Sequence, residues 1–351
     1  MNAPNGGDDS PEAVKMKSKV WQIKSEPKDA QRPKSTYFAT KDTSIKRENL
    51  LAYLCLAGIC LIWGTTFLAI RIGVKDFPPF LFAAIRQLSA GVLLSAIIIL
   101  LQKPKLPTLK HIGQMAILGF LMITMGNGFV SWAEVFVDSG IAAIICSIMP
   151  ALVILFNVMI NRSETPNTSI VVGVITGLAG IVLVFSEHLQ NFANKNYTVG
   201  IILIFLAIVG WSAGSIFAKK SNQNGNLFLN AGMQMFFGGV WCLPLSFFFD
   251  DHSGIHWTSA TAYSLIYLVI FGSSVAYALY FYVITKLPMT IASLYSYVNP
   301  LVAVVLGSLI LGEKLNLKIG LAFVVTVAGI YMVNRGYQQR VRKSELEKAA
   351  A

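Results

Sequence analysis

The sequence predicts an all-α polytopic membrane protein with ten transmembrane helices, built as two inverted five-helix repeats. Three observations lead to this fold class. The 351 residues have a mean hydropathy of +0.62, and only 13% of them are charged, about half the share found in soluble domains. Ten apolar stretches follow one another along the chain, and the first five resemble the second five in sequence.

Each apolar stretch is long enough to cross a bilayer, which takes ~20 mostly apolar residues for a hydrocarbon core of ~30 Å. Charged residues, proline or asparagine separate the stretches, which are 50–73, 79–101, 112–136, 140–160, 168–187, 198–218, 228–249, 260–284, 290–311 and 317–334. The first begins fifty residues into the chain and no cleavage site follows it, unlike a cleavable signal peptide.

Charged residues are concentrated at the two ends of the chain. Residues 1–50 hold 17 of the 45 charged side chains, and residues 335–351 hold 7. We expect residues 1–48 to form a disordered cytoplasmic tail, because so polar a segment buries too little apolar surface to order itself. The other boundaries are 50–187 for the first repeat, 198–335 for the second, and 336–351 for a cytoplasmic C-terminal tail.

The loops between the stretches carry unequal positive charge. With the N-terminus in the cytoplasm, the inner loops hold 7 lysines and arginines and the outer loops hold 4, as the positive-inside rule requires. We therefore expect both termini to be cytoplasmic and the protein to reside in the cell (inner or plasma) membrane. Topology and lipid headgroups account for the net charge of +11. No basic stripe interleaves with aromatic residues, so no nucleic-acid partner is expected.

Several kinds of site have no signature in the sequence. The 4 cysteines lie within apolar stretches and form no C-x-x-C pair, so they read as small apolar side chains. His252 and His256 have the spacing of a helical metal pair, but Gly254 between them favours a loop. No H-E-x-x-H, G-x-S-x-G or phosphate-binding loop occurs. We expect no cofactor, no metal, no enzymatic activity and no ATP-driven pumping by this chain alone.

An internal repeat relates the two halves. At an offset of 148 residues Trp63 aligns with Trp211 and Arg71 with Lys219. Further pairs, at offsets of 148 to 150, are Ala90-Gly91 with Gly238-Gly239, residues 139–150 with 289–300, Glu164 with Glu313, and Ala179-Gly180 with Ala328-Gly329. Each half has five stretches, an odd number, so the second half enters the membrane from the opposite side. Inverted repeats of this kind are typical of secondary transporters, the alternative being a duplication retained for packing.

Local motifs resemble the EamA family of the drug/metabolite transporter superfamily over residues 51–335. They are the W-G-x-x-F of Trp63, Gly64 and Phe67, the A-x-x-R of Ala83 and Arg86, the fourth spans ending in Pro150 and Pro300, and Leu311-Gly312-Glu313-Lys314-Leu315. The first repeat departs from the last motif, reading Asn161-Arg162-Ser163-Glu164. The resemblance implies ten helices, cytoplasmic termini, and passage of small metabolites through a central cavity.

Two charged residues within the stretches are candidates for a substrate-binding or gating site, since a charge at membrane depth needs a partner or a wet cavity. Arg86 follows Pro79 by seven residues, about 10 Å into its helix, and its repeat mate is the neutral Gln234. Snorkelling to the outer interface is the alternative. Glu134 lies near the end of its stretch, in the same membrane leaflet as Arg86. It could form an ion pair with Arg86, contact the substrate, or be an ordinary carboxylate at the membrane interface.

Aromatic and amide side chains complete the candidate site. Aromatic faces suit amphiphilic or cationic substrates, although lipid contact and packing explain many membrane aromatics. Asn299 precedes Pro300 and Asn127 lies between glycines, where weakened helices form binding elements. The candidates are Trp63, Trp132, Trp211, Tyr295, Tyr297, Asn127 and Asn299, with Pro150 and Pro300 as helix breakers.

These features predict a gradient-driven secondary transporter of small metabolites, most simply an exporter of amino acids, amphiphilic metabolites or drugs by alternating access. A passive channel or facilitator and a nucleotide-sugar-like branch of the same superfamily are the alternatives. The expected partners are a small-molecule substrate and the lipid bilayer. Coupling to a proton or ion, and assembly as a homodimer, are left open.

Overall fold

A computed structural model gives the fold of residues 34–105, 107–160, 167–187, 194–221, 225–253, 255–312 and 317–350. This described part is helical and contains no strand. The chain divides into two compact units, Met1–Glu48 and Asn49–Ala351. The second unit contains the helical bundle and the candidate site.

The helices are numbered in chain order. In the first half they are α1 (Lys34–Gly73), α2 (Pro79–Gln102), α3 (Leu109–Ala133), α4 (Ser139–Cys146), α5 (Met149–Ile160) and α6 (Thr168–Glu187). In the second half they are α7 (Lys195–Ser221), α8 (Leu227–Phe249), α9 (Ser259–Lys286), α10 (Met289–Ala292), α11 (Tyr295–Leu311) and α12 (Leu317–Ala350).

Helix α1 begins at Lys34, within residues 1–48. The disordered cytoplasmic tail expected for residues 1–48 stays a prediction. Residues 1–33 lie outside the described residues, as do residues 161–164 and 313–315 of the two equivalent turns.

Six helices of the described part are long and apolar enough to cross a membrane. They are the first three of each repeat: Leu50–Gly73, Pro79–Gln102, Leu109–Ala133, Lys195–Lys219, Leu227–Phe249 and Ser259–Lys286. Shorter apolar helical stretches lie at Ser139–Val153, which includes the turn between α4 and α5, at Thr168–Gly180 within α6, and at Tyr295–Leu311. The described structure therefore supports a polytopic membrane protein, and the count of ten spans stays a prediction.

The fourth span of each repeat is interrupted. A turn at residues 147–148 separates α4 from α5, and a turn at residues 293–294 separates α10 from α11. Pro150 is the second residue of α5, a position at which no N–H is needed. Pro300 lies inside α11, which continues through it. The sequence prediction that Pro300 breaks its helix is therefore wrong about the position of the break, because losing the one hydrogen bond that Pro300 would donate does not end the helix.

Equivalent helices of the two repeats pack against each other with two-fold symmetry. A Cβ atom on Gly91 of α2 would lie 2.4 Å from the backbone nitrogen of Phe236 in α8. A Cβ atom on Gly239 of α8 would lie 2.8 Å from the backbone nitrogen of Leu88 in α2. Both pairs of equivalent residues are separated by the repeat offset of 148. The contact position moves backwards along α8 as it moves forwards along α2, so these helices are antiparallel.

Helices α6 and α12 repeat this arrangement. A Cβ atom on Gly180 would lie 3.0 Å from the backbone nitrogen of Thr326, and one on Gly329 would lie 2.4 Å from that of Gly177. These pairs are related by an offset of 149 residues. Close backbone approach through small residues is the usual basis of helix packing in a membrane. The two repeats are thus related by a pseudo-two-fold axis that reverses the direction of equivalent helices.

A local irregularity also recurs in both repeats. Helix α3 contains a π-helical segment at Gly119–Gly128, and α9 contains one at Leu268–Val275. The two segments begin 149 residues apart, which is again the repeat offset. π-Helical segments occur frequently at functional sites because they leave the regular hydrogen-bond ladder. Gly126 and Asn127 of the α3 segment line a cavity at the centre of the bundle, and the Gly272 carbonyl of the α9 segment accepts a hydrogen bond from Trp63, which also lines it.

Candidate functional site

A cavity lies at the centre of the bundle between the two repeats. Its volume is about 90 Å³, which is room for several water molecules. Helices α1, α3, α4 and α5 of the first repeat and α7 and α11 of the second supply its walls. The lining residues are Trp63, Thr66, Phe67, Ile70, Gly126, Asn127, Val130, Cys146, Met149, Ala207, Ile208, Trp211, Tyr295, Ser296 and Asn299.

Aromatic rings form one wall of the cavity. Trp63 and its repeat mate Trp211 meet edge to face, with ring centroids 5.4 Å apart and planes at 86°. Tyr295 packs on Trp63 at 4.6 Å, and Tyr280 packs on it at 5.2 Å. The Tyr280 hydroxyl is held by Ser215, with 2.7 Å between the two oxygens. The rings are locked together by these contacts, so they present a fixed aromatic surface to the cavity.

The buried Arg86 lies behind this wall. Its Nε donates to Ser273 Oγ at 2.8 Å, and its Nη2 donates to the Gly272 carbonyl at 3.3 Å. The same carbonyl accepts the indole N–H of Trp63 at 3.0 Å. Both Gly272 and Ser273 belong to the π-helical segment of α9. The Arg86 side chain therefore lies inside the protein. It is connected to the cavity wall because Arg86 and Trp63 donate to the same Gly272 carbonyl.

Several polar groups of the cavity lie near the π-helical segment of α3 or near Pro300 of α11. Asn127 lies in the π-helical segment of α3, and its carbonyl accepts a hydrogen bond from Ser131 Oγ at 2.8 Å. With its amide nitrogen facing the neighbouring carbonyls, Asn299 donates to Tyr295 at 2.9 Å and to Cys60 at 3.2 Å. Pro300 has no N–H for the carbonyl of Ser296, which also lines the cavity. The polar side chains on this list are all uncharged.

A cluster of charged residues lies at the end of α3. Glu134, the residue that follows α3, is fully buried, and its backbone carbonyl accepts a hydrogen bond from the Arg71 guanidinium. Arg71 also forms an ion pair with Asp138, with 3.6 Å between nitrogen and oxygen. Arg71 thus contacts two members of this cluster, the Glu134 backbone and the Asp138 side chain.

A loop carboxylate caps helix α2, which carries Arg86. Asp250 accepts hydrogen bonds from the backbone N–H groups of Phe80 at 3.2 Å and Leu81 at 2.8 Å. These bonds satisfy two of the donors that a helix start leaves unpaired. Burial raises the pKa of Asp250 above its ordinary value, although these hydrogen bonds act in the opposite direction. The cap fixes the first turn of α2 against the loop that follows α8.

The structure brings together most of the residues singled out in the sequence. The predicted residues that line the cavity are Trp63, Asn127, Trp211, Tyr295 and Asn299. Trp132 instead packs in a separate cluster, at 5.2 Å from Phe80 and 5.3 Å from Phe249. Tyr297 is buried in α11 away from the cavity lining.

Sequence reasoning missed Tyr277 and Tyr280 of α9, which pack against the tryptophan pair. Their spacing of three residues places them on one face of a helix, and that signal was present in the sequence. It also missed Thr66 and Met149, which line the cavity. These two have ordinary membrane-helix side chains, so only the packing of the helices distinguishes them.

Histidine, cysteine and acidic side chains of the described residues form no group of three that could hold a metal ion. His252 interacts instead with Ser246, at 3.1 Å between Nε2 and Oγ. The 4 cysteines are free thiols.

Comparison with known proteins identifies the family of this chain. The EamA-like transporter family matches the chain twice, at residues 50–186 and 198–335. The resemblance inferred from the motifs is therefore confirmed. The inner membrane transporter YedA of Escherichia coli K12, an uncharacterized protein, is 33% identical over 295 residues, which cover 83% of this chain and 92% of YedA.

A second relative and a solved structure agree with this match. The uncharacterized transporter YoaV of Bacillus subtilis is 25% identical over 288 residues, covering 82% of this chain and 98% of YoaV. A protein crystal structure has the same fold, with a TM-score of 0.62 over 80% of this chain and 95% of that chain. Their sequences are 18% identical, so this likeness concerns the fold alone.

Proposed function

Because the chain belongs to the EamA-like transporter family, we propose that it is a gradient-driven secondary transporter that exports small metabolites by alternating access between its two repeats. The observation that carries this proposal is the cavity on the pseudo-two-fold axis, with one tryptophan of the central pair from each repeat. A site to which both inverted halves contribute can open to either side of the membrane when the halves exchange conformations.

The residues that line the cavity favour neutral or cationic amphiphilic substrates. Its aromatic wall binds flat or amphiphilic groups and attracts cations through the ring faces. Uncharged polar groups such as Asn127, Ser296 and Asn299 supply hydrogen bonds. Among the described residues, the cavity lining contains no lysine or arginine to neutralise a phosphate. We therefore favour neutral or cationic amphiphilic metabolites, including amino acids with apolar side chains, over the anionic substrates of a nucleotide-sugar-like branch.

The membrane topology that we propose has ten spans and two cytoplasmic termini in the inner membrane. The six long helices supply spans one to three of each repeat, and the interrupted α4–α5 and α10–α11 units, with α6 and α12, supply the other four. The 7-to-4 excess of cations in the inner loops supports this orientation. The driving force is the gradient of the substrate itself or that of a coupled proton or ion.

A counterflow experiment tests the proposed function. Purified protein is reconstituted into proteoliposomes loaded with pools of unlabelled amino acids, amines or other metabolites, and uptake of a labelled trace of the same compounds is measured. A transporter that alternates between two sides accumulates label transiently above equilibrium. A passive channel gives only equilibration, and that result would replace the transporter with the channel alternative. No flux of any compound class would contradict the proposal.

A further inference from the structure

The sequence alignment of the two repeats pairs Arg71 with Lys219, and the proposed transport function does not yet assign either residue a role. Arg71 is near the end of α1, and Lys219 is near the end of α7, the equivalent helix. Each follows a tryptophan of the central pair by eight residues, or about 12 Å along its helix. Both are cations flanking one cavity.

Each cation donates to the carbonyl of the residue that follows the third helix of its own repeat. The Arg71 guanidinium donates to the carbonyl of Glu134, the residue immediately after α3. The Lys219 ammonium donates to the carbonyl of Leu287, the residue immediately after α9, at 2.9 Å. The last carbonyls of a helix lack partners within the helix and carry the negative end of its dipole. Each cation therefore ties the first helix of its repeat to the end of the third.

The two ties lie at opposite ends of the bundle. Near the start of α7, a Cβ atom on Gly200 would lie 2.7 Å from Val137, three residues after Glu134. Lys219 is 19 residues further along α7, a distance of about 28 Å. This separation is close to the ~30 Å thickness of a hydrocarbon core. One tie thus lies toward each surface of the membrane, with the cavity between them.

We propose that Arg71 and Lys219 are a pair of gating residues, each of which holds the cavity closed toward one side of the membrane. In alternating access one side opens while the other stays closed, so one tie breaks while the other persists. The structure has both ties formed, as a state closed at both ends requires. This inference rests on the proposed transport cycle and assigns the two gates of that cycle to named side chains.

The test measures from which side the cavity is reached. Cys146 lines the cavity, and replacing Cys55, Cys60 and Cys242 by alanine leaves it as the reporter thiol. A membrane-impermeant thiosulfonate reagent is applied to intact cells and, separately, to inside-out vesicles, and the rate of Cys146 labelling is measured. Arg71→Gln should raise the rate about tenfold from one side, and Lys219→Gln should raise it about tenfold from the other. These changes correspond to loss of one charge-assisted hydrogen bond per gate.

Matched variants separate gating from a purely structural role. Arg71→Lys and Lys219→Arg keep a cationic donor and should restore labelling close to that of the parent protein. Asp138→Asn removes the ion-pair partner of Arg71 but leaves the Glu134 carbonyl, so it should give a smaller rise on the Arg71 side. Lys75→Gln and Lys110→Gln, at exposed positions, should leave both rates unchanged.

The proposal is supported if Arg71→Gln and Lys219→Gln raise the rate of Cys146 labelling from opposite sides of the membrane. Labelling that rises from the same side in both glutamine variants, that rises equally from both sides, or that stays at the level of the exposed-lysine controls would overturn it. Labelling needs no substrate, so it decides the gates even if counterflow detects no transport. If the parent protein shows counterflow but the glutamine variants label at the parent rate, the transport proposal stands and the assignment of Arg71 and Lys219 as gating residues is rejected.

Discussion

Trp63 and Trp211 occupy equivalent positions in the two repeats and meet edge to face at the centre of the protein, with ring centroids 5.4 Å apart. Two-fold symmetry alone would allow equivalent residues to lie far from the axis. Contact between them places the axis at the cavity wall. A motion that exchanges the conformations of the two repeats must therefore reorganise this contact, and each tryptophan can take the role of the other.

The tryptophan pair predicts matched losses of transport. Trp63→Ala and Trp211→Ala each remove one ring from the aromatic wall, and we expect each variant to lower counterflow about tenfold, because an aromatic contact to a desolvated cation or ring contributes ~1–2 kcal/mol. The double variant should lose less than the product of the two single effects, since the rings contact each other. Counterflow at equal expression measures all three.

The control for this prediction is Trp241→Ala, because Trp241 is 45% exposed on the outside of α8, away from the cavity lining. It should transport at close to the parent rate. An equal loss in Trp241→Ala would attribute the effect to membrane anchoring, and full activity in either cavity variant would remove that tryptophan from the site.

Arg86 is predicted to be a positioning residue for the cavity wall. Arg86→Gln should insert and fold but transport about tenfold less well, because the Gly272 carbonyl that Arg86 shares with Trp63 loses a charged donor. Arg86→Lys keeps the charge without the planar fork and should give an intermediate rate. Folding is measured by thermal denaturation in detergent and transport by counterflow, at matched expression.

A double variant tests whether Glu134 belongs to the same unit. If the two charges act together, Arg86→Gln combined with Glu134→Gln should be no worse than the worse single variant. Parent-level transport by Arg86→Gln would reduce this arginine to a structural anchor. Additive losses in the double variant would show that the two residues act independently.

Prediction from the sequence succeeded where a signal is repeated along the chain. Long apolar stretches located the six long helices, and the recurrence of tryptophan at an offset of 148 pointed to both members of the central pair. It failed where the outcome depends on packing between distant segments. Pro300 suggested a break in the ninth span, but the turn lies at residues 293–294, ahead of it. Likewise the sequence could not identify the partners of Arg86, because Ser273 and Gly272 lie 187 and 186 residues away along the chain.

Cytoplasmic termini are predicted by the excess of lysine and arginine in the inner loops. In a protein whose native cysteines are replaced, a cysteine introduced at residue 20 or residue 345 should resist a membrane-impermeant thiol reagent on intact cells. Both should react after the membrane is permeabilised, which controls for reagent access. A cysteine introduced at residue 251, in the loop after α8, should react on intact cells. Ready labelling of either terminus without permeabilisation would contradict the ten-span topology.

Close contact at Gly91 predicts that the two repeats separate when this position is enlarged. A Cβ atom there would lie 2.4 Å from the backbone nitrogen of Phe236, which no rotation of a side chain can relieve. Gly91→Ala should therefore force α2 and α8 apart and lower the midpoint of thermal denaturation by several degrees, consistent with an overpacking cost of ~1–3 kcal/mol. Gly113→Ala is the matched control, because Gly113 lies in α3 with no atom within 4 Å of its Cβ position. Alanine is a better helix former than glycine, so this control should be neutral or slightly stabilising. If both variants melted at the parent temperature, the α2–α8 contact would not be the tight two-fold junction between the repeats.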